Sequence, residues 1–437
     1  MRAIRQFFFY VFLAVYLVAA PVAILYAFGY IYNPDGGPGL VRAGLVSINS
    51  TPDDAQVFLG ASRYTRRTPT VIRDLLPGEY ALRLVRAGYE PWQQRVTVAP
   101  ERATVLDRVL LLPDVRPARR VDAQAWSDFF TTPGSPYAVL AGGTRLSDWA
   151  VLDAETAKLR PLLPADSPWR DAVVLNHWRV PRSPRLLLRI DDGSGERYLW
   201  IALDRERDAP LDITRLFPAA PDQVAWDRRA RDEIYVRTGA RVHRLDLEDL
   251  AMYPDCAPPA QAIAVYRRDL HIIDATGTLV RVERDGEVEE ADPRLPPDLL
   301  TRGACAVLPD ADEERWLVVE DRRLGLLRWR EEGESDAAGW TTEWMYAHGA
   351  RIDAAVWAYE DSHIAFTSGG QVWLLALERG GGGPPRFLGR THADGALLFD
   401  ARSGELYALD ESRHLARTAL VPPRSLLPLP QPAEESP

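Results

Sequence analysis

The hydropathy pattern is dominated at its start by one apolar block. From Phe7 to Tyr32, 26 consecutive residues carry no charge. As a helix rising about 1.5 Å per residue, such a run spans roughly 39 Å, enough to cross a hydrocarbon core of about 30 Å. Tyr10, Tyr16, Tyr26, Tyr30 and Tyr32 place amphipathic rings near both ends, where the membrane interface favours them. Pro21 predicts a kink within the helix. Arg2 and Arg5 precede the block and Asp35 is the first charge after it, so the positive-inside rule predicts a cytoplasmic N-terminus and an extracytoplasmic remainder. A cleaved signal peptide is the competing reading, with Ala27-Phe28-Gly29 as the small-x-small site. The block is far longer than the apolar core of a signal, about 7–15 residues, which favours an anchor.

Beyond a Gly- and Pro-rich linker at 33–43, the period changes to two. Gly44–Asn49, Ala55–Leu59, Thr68–Ile72, Glu79–Val85, Gln94–Val98 and Ala103–Leu112 read as strands, separated by turn residues at Thr51-Pro52-Asp53-Asp54, Leu76-Pro77-Gly78 and Gly88-Tyr89. Period-2 alternation buries one face of each strand, and about seven short strands in roughly 70 residues describe a β-sandwich. Residues 113–120 are a basic, Pro-bearing linker. From 121 to 421 a unit recurs: an apolar strand, a turn, then an aromatic-aliphatic strand. Examples are Arg185–Ile190 with Tyr198–Asp204, and His363–Phe366 with Gln371–Leu375. About seven such units of roughly 43 residues match the spacing of four-stranded propeller blades, with six to eight compatible with the drift between copies. Ring closure would pair a strand near Arg119–Ala123 with the last unit. Residues 422–437, with six prolines, read as an extended tail.

Two segments resemble known families. Pro52 with Ala55 and Val57, Gly60, Thr68-Pro69, Leu76-Pro77-Gly78-Glu79-Tyr80 and Gly88-Tyr89 make residues 44–112 similar to a PEGA domain, a short extracytoplasmic β module. The tetrad that names that family is altered here: Asp54 stands where glycine is usual, in a turn calling for a positive φ that Asp tolerates. The resemblance implies action at a cell surface, on wall polysaccharide, and brings no catalytic residues. Asp400–Asp410 resembles the strand-hairpin-strand segment of quinoprotein-type and WD-type propellers, which speaks for the blade and not for a cofactor. The fold class expected is therefore all-β: an N-terminal transmembrane helix (1–32), a small sandwich (44–112) and a propeller (121–421).

Charge and composition narrow the function. The chain has 437 residues, a formal charge of −10 and two cysteines. Net acidity argues against wrapping nucleic acid, which needs a basic face. The cysteines, Cys256 and Cys305, lie about one unit apart, and a disulfide between them is allowed outside the cytoplasm. There is one lysine, Lys158, and no phosphate-binding loop, nucleophile elbow or His-Glu-x-x-His. Neither a catalytic residue nor a metal site nor a cofactor is expected. The seven histidines are scattered, and two acidic loops, Asp191–Glu196 and Asp310–Glu314, read as surface hairpins rather than cation sites. Of thirteen tryptophans, Trp92 in Gly88-Tyr89-Glu90-Pro91-Trp92 is the candidate for an exposed, sugar-stacking ring. The function expected is a single-pass inner-membrane protein, its bulk periplasmic, binding or scaffolding through envelope proteins or cell-wall polysaccharide. The alternative is a propeller hydrolase or lyase with an axial site.

Overall fold

A computed structural model of the chain describes residues 2–32, 39–132, 134–179, 183–206, 208–217, 219–226, 233–266, 269–293, 295, 307–310, 314–330, 339–347, 349–377, 384–392 and 395–421. Of the predicted linker at 33–43, residues 33–38 lie outside the described residues, as does the tail at 422–437. The chain divides into two compact units, one in Met1–Arg116 and one in Pro117–Ala419.

Helix α1 (Arg2–Ala27) contains the apolar block, and Phe7–Leu25 is long and apolar enough to cross a membrane. Most of its described side chains are exposed, Phe12 at 73%. The helix stops short of the end of the uncharged run. Gly29 takes a left-handed φ of 77°, which ends helices because only glycine adopts it without steric cost. Tyr30–Tyr32 (β1) then pairs antiparallel with Leu40–Arg42 (β2).

The first unit continues as a sandwich. One sheet is β6 (Thr70–Leu75), β3 (Gly44–Thr51) and β9 (Ala103–Leu110). The other is β5 (Ser62–Arg67), β4 (Gln56–Leu59), β7 (Gly78–Val85) and β8 (Trp92–Val98). Alternation does what the sequence predicts. Val46, Ile48, Val57, Leu59, Leu82, Leu84, Val96 and Val98 point inward and form one core, each fully buried aliphatic contributing about 1.5–3 kcal/mol. Asp54 adopts a φ of 65°, as its turn requires. A buried polar latch closes that turn. The Ser50 hydroxyl donates to the Pro52 carbonyl at 2.8 Å, so Thr68 donates to Ser50 Oγ at 2.6 Å and accepts from the Ala55 amide at 2.9 Å. The Tyr80 hydroxyl donates to the Leu76 carbonyl at 2.8 Å and holds the second turn.

The second unit contains seven four-stranded antiparallel sheets among the described residues. Blades 1 to 6 lie within 128–161, 173–212, 223–253, 260–290, 307–347 and 352–390. Blade 7 takes three strands from 398–419 and its fourth from β10 (Arg119–Ala125), which pairs antiparallel with His414–Ala419. Closure therefore occurs as the sequence requires, and Arg119 and Arg120, read as spacer, are the first residues of the closing strand. Each blade packs on the next. Val151 and Leu188 join blades 1 and 2; Leu187 and Ile234 join 2 and 3; Val242 and Ile272 join 3 and 4. Tyr266 and Trp316 join 4 and 5, and Leu326 and Phe366 join 5 and 6. Blades 6 and 7 are linked by Thr391 Oγ1, which donates to the Leu409 carbonyl at 2.6 Å. Leu140, Leu152, Tyr407 and Leu415 bring blade 7 back onto blade 1. The circle explains the unbroken apolar runs. In Leu186-Leu187-Leu188, successive side chains face different neighbouring blades, so both faces of a strand are buried. In the last blade Leu398–Asp400 pairs with Glu405–Leu409, which pairs in turn with His414–Ala419, and the outer strand comes from the other end of the chain.

Candidate functional site

The outer face of the β6–β3–β9 sheet carries an open concavity, a groove of about 740 Å³. Register builds it: Val71 and Ser47, both in its lining, are cross-strand neighbours, with Val105 beside Ser47 on the third strand of the same face, since side chains directly opposite share a face. Val71 and Val105 are 44% and 51% exposed. Around them the lining is polar, with Asn49, Arg66, Thr70, Arg73, Asp74 and Asp107. The setting is locally basic. Residues 40–112 carry ten arginines against seven carboxylates, in a chain whose net charge is −10. Several of these arginines are committed elsewhere. Arg42 pairs with Glu101, Arg67 with Asp54 at 3.0 Å, and Arg86 with Asp53 at 3.8 Å. Arg66 and Arg73 are exposed and make no ion pair among the described residues. The latch at Ser50, Ala55 and Thr68 lies directly behind Pro69 and Thr70, so the groove wall is held by satisfied buried hydrogen bonds. Such a surface presents guanidinium donors, hydroxyls, an amide and two carboxylates to a hydroxyl- and acid-bearing ligand.

The residues singled out from the sequence end up elsewhere. Trp92 is not the exposed ring expected. It is the first residue of β8, only 6% exposed, and packs in the sandwich core opposite Leu84, because the turn at Gly88-Tyr89 ends early enough for Trp92 to begin an inward-facing position. Trp344 alone among the thirteen tryptophans is exposed, at 41%, and its face is covered by the Arg323 guanidinium at 4.0 Å. Cys256 is a half-buried free thiol whose pKa is pushed up to about 11 by burial; Cys305 lies outside the described residues, and the proposed pair with it. The acidic loops are consumed internally. Asp192 accepts from the Ser194 and Gly195 amides and from Arg197. Asp310, buried, accepts from the Glu314 amide and from Arg315 Nε at 2.7 Å. His243, His271 and His363 are buried in three different blades, and no three His, Cys, Asp or Glu are placed to hold a metal among the described residues. The groove was missed in the sequence because its residues are ordinary outward positions of three separate strands, joined only by register.

Residues 43–111 match the family described as PEGA domain. No curated protein matches the chain. Among solved structures, the Cps50 (Swd1) β-propeller domain of Myceliophteria thermophila is similar at 10% identity and a TM-score of 0.42, over 69% of this chain and 99% of that one. Kluyveromyces lactis Hsv2 is similar at 9% identity and 0.41, over 68% and 93%. The C-terminal WD40 domain of Sif2 is similar at 10% and 0.40, over 70% and 99%. The propeller itself stands on the strand pairing and blade-to-blade cores given above. The chain thus carries a PEGA domain at residues 43–111, behind an apolar N-terminal helix and ahead of a seven-bladed β-propeller.

Proposed function

We propose that this chain is a membrane-anchored, extracytoplasmic binding scaffold of a bacterial cell envelope. Its helix sits in the inner membrane with the N-terminus in the cytoplasm, and its two β modules engage envelope components. The observation that carries the reading is the PEGA groove, where the uncommitted Arg66 and Arg73 flank an open polar sheet face. This lining favours cell-wall polysaccharide bearing carboxylates, bound through charge-assisted hydrogen bonds. The propeller is a rigid platform suited to protein contacts. The test is co-sedimentation of the detergent-solubilised full chain with purified wall polymer. Wild type is expected in the pellet, and the Arg66→Glu, Arg73→Glu variant in the supernatant with an unchanged melting profile. Equal pelleting of both, or of neither, would overturn the groove's role. Location is read separately by adding protease to spheroplasts: digestion of the β modules is expected, and their survival beside a digested external marker would reverse the topology.

A further inference from the structure

Between the apolar helix and the PEGA sandwich stands the two-stranded ribbon of β1 and β2, at Tyr30-Ile31-Tyr32 and Leu40-Val41-Arg42. Register fixes its faces. Tyr30 lies opposite Arg42 and Tyr32 opposite Leu40, so these four share one face, while Ile31 and Val41 share the other. Apart from Arg42, both faces are apolar or aromatic. None of the six side chains is buried, and none belongs to the sandwich core. Tyr32 is 73% exposed and Leu40 51%, and Phe28, just before the ribbon, is 70% exposed. A two-stranded ribbon is marginal in water and needs a further layer to pack on, which the described residues do not supply.

The ribbon is also no slack tether, although its second strand falls in the stretch that the sequence reads as linker. The Ala43 amide donates to the Gly29 carbonyl at 2.8 Å, and the Glu101 amide donates to the Ala43 carbonyl at 3.1 Å. Arg42 pairs with Glu101, and its guanidinium covers the Tyr30 ring at 5.1 Å. A hydrogen-bonded path therefore runs from the helix end, past the ribbon, to the turn between β8 and β9.

Two physical limits set the depth at which such a ribbon is stable beside a bilayer. Its open edges present backbone N–H and C=O groups that hydrocarbon cannot satisfy, which excludes the lipid core. Its uncovered aromatic and aliphatic side chains favour leaving bulk water, and tyrosine rings favour the headgroup layer. The ribbon begins just past Phe7–Leu25, the segment able to cross a membrane, so a bilayer that holds the helix brings this layer to it.

We propose that β1 and β2 dock into the headgroup layer on the side of the β modules, with Phe28, Tyr32 and Leu40 inserted. The bilayer is thus held at a second place besides the helix, and the PEGA domain is fixed against the membrane surface through Ala43 and the Arg42–Glu101 pair. The inference rests on the membrane-anchor reading above, and its test reads the two separately.

The full chain carrying Cys256→Ala and Cys305→Ala is given one further change, Tyr32→Cys, Leu40→Cys, Val18→Cys or Ser62→Cys. Each variant is labelled with the environment-sensitive fluorophore NBD and reconstituted into phosphatidylcholine–phosphatidylglycerol vesicles, with near-ultraviolet circular dichroism confirming the fold. Quenching is compared between lipids spin-labelled near the headgroup, lipids spin-labelled near the chain end, and aqueous iodide. Labels at 32 and 40 are expected to emit to the blue of the label at 62 and to be quenched most by the shallow spin label. The label at 18 should be quenched most by the deep one, and the label at 62 by iodide alone. If one ribbon label disturbs the pairing, the other, on the facing strand, decides. Labels at 32 and 40 quenched by iodide and not by lipid, beside a lipid-quenched label at 18, would overturn the ribbon's docking and leave the anchor standing. Shielding of both from lipid and iodide alike would assign the cover to protein and overturn it too. A label at 18 that no lipid quenches would overturn the anchor, and the docking with it.

Discussion

Tyr407 sits on the seam that closes the propeller, and its removal tests the closure directly. The side chain is fully buried in the core shared by blade 7 and blade 1, against Leu140, Leu152 and Leu415. Its hydroxyl donates across the seam to the Ala154 carbonyl, 3.1 Å away, and lies 3.0 Å from Glu405, which Arg417 also holds at 2.9 Å. Burial, with Glu405 adding to it, raises the hydroxyl's pKa, so it stays a donor throughout the working pH range. Two variants separate the contributions. Tyr407→Phe keeps the ring and removes the hydroxyl, costing about 0.5–1.5 kcal/mol. Tyr407→Ala also empties a ring-sized volume that packed blades cannot collapse into, costing about 3–5 kcal/mol. Urea unfolding of the full chain reads both as shifts in midpoint at constant slope. Hydrogen exchange adds the location: amides of β10 and His414–Ala419 should lose protection in Tyr407→Ala, while those of Arg185–Asp191 in blade 2 keep theirs. If Tyr407→Ala costs no more than Tyr407→Phe, or if blade 2 opens together with the seam, the reasoning that Tyr407 packing holds the closure locally is wrong.

Three further outcomes follow from the same geometry. Thr68→Val preserves shape but strips the Ala55 amide of its acceptor and Ser50 of its donor, and should lower the stability of the PEGA domain by about 1–3 kcal/mol in urea. Gly44→Ala would drive a Cβ into the Val98 side chain and the Ala99 carbonyl, so β3 must shift; a melting midpoint lowered by an amount equivalent to about 1–3 kcal/mol is expected, and an unchanged midpoint would contradict the close approach. His363 is almost wholly buried, and desolvation lowers its pKa from 6.5 to about 4, with Arg386 adding to the shift. The unfolded chain therefore binds a proton that the fold refuses, so its contribution is present above pH 6.5 and is lost progressively as pH falls towards 4. His363→Asn, which keeps a partner for Ser362 Oγ at the Nδ1 position, should flatten the wild-type loss of stability between pH 7 and 5, measured by urea titration at each pH.

Element type and order were legible along the chain wherever one physical constraint acts on neighbouring residues. An uncharged block long enough for lipid, alternation over Gly44–Asn49 and Glu79–Val85, and a left-handed turn at Asp54 are all local properties. The recurring paired strands were legible too, because a blade must bury both faces and so writes continuous apolar runs such as Arg185–Ile190. Facing was harder to read. Trp92 follows a Gly-Tyr turn and reads as exposed, yet one register position places it inside the sandwich. The fourth strand of blade 7 comes from about 290 residues away in sequence, a separation bridged by the Arg120–Asp410 ion pair at 2.9 Å, so no local periodicity marks which strand it joins.

The amino-acid order by itself thus determined the apolar helix, the PEGA sandwich and the repeated blades, since each follows from periodicity within a few dozen residues. Only the tertiary structure decided which outward residues meet. Ser47, Arg66, Arg73 and Asp107 share a groove, and Tyr32 faces Leu40 across the ribbon. The reason is that hydrophobic patterning specifies which face of a strand is buried, whereas strand pairing and blade packing specify which exposed side chains of distant segments become neighbours.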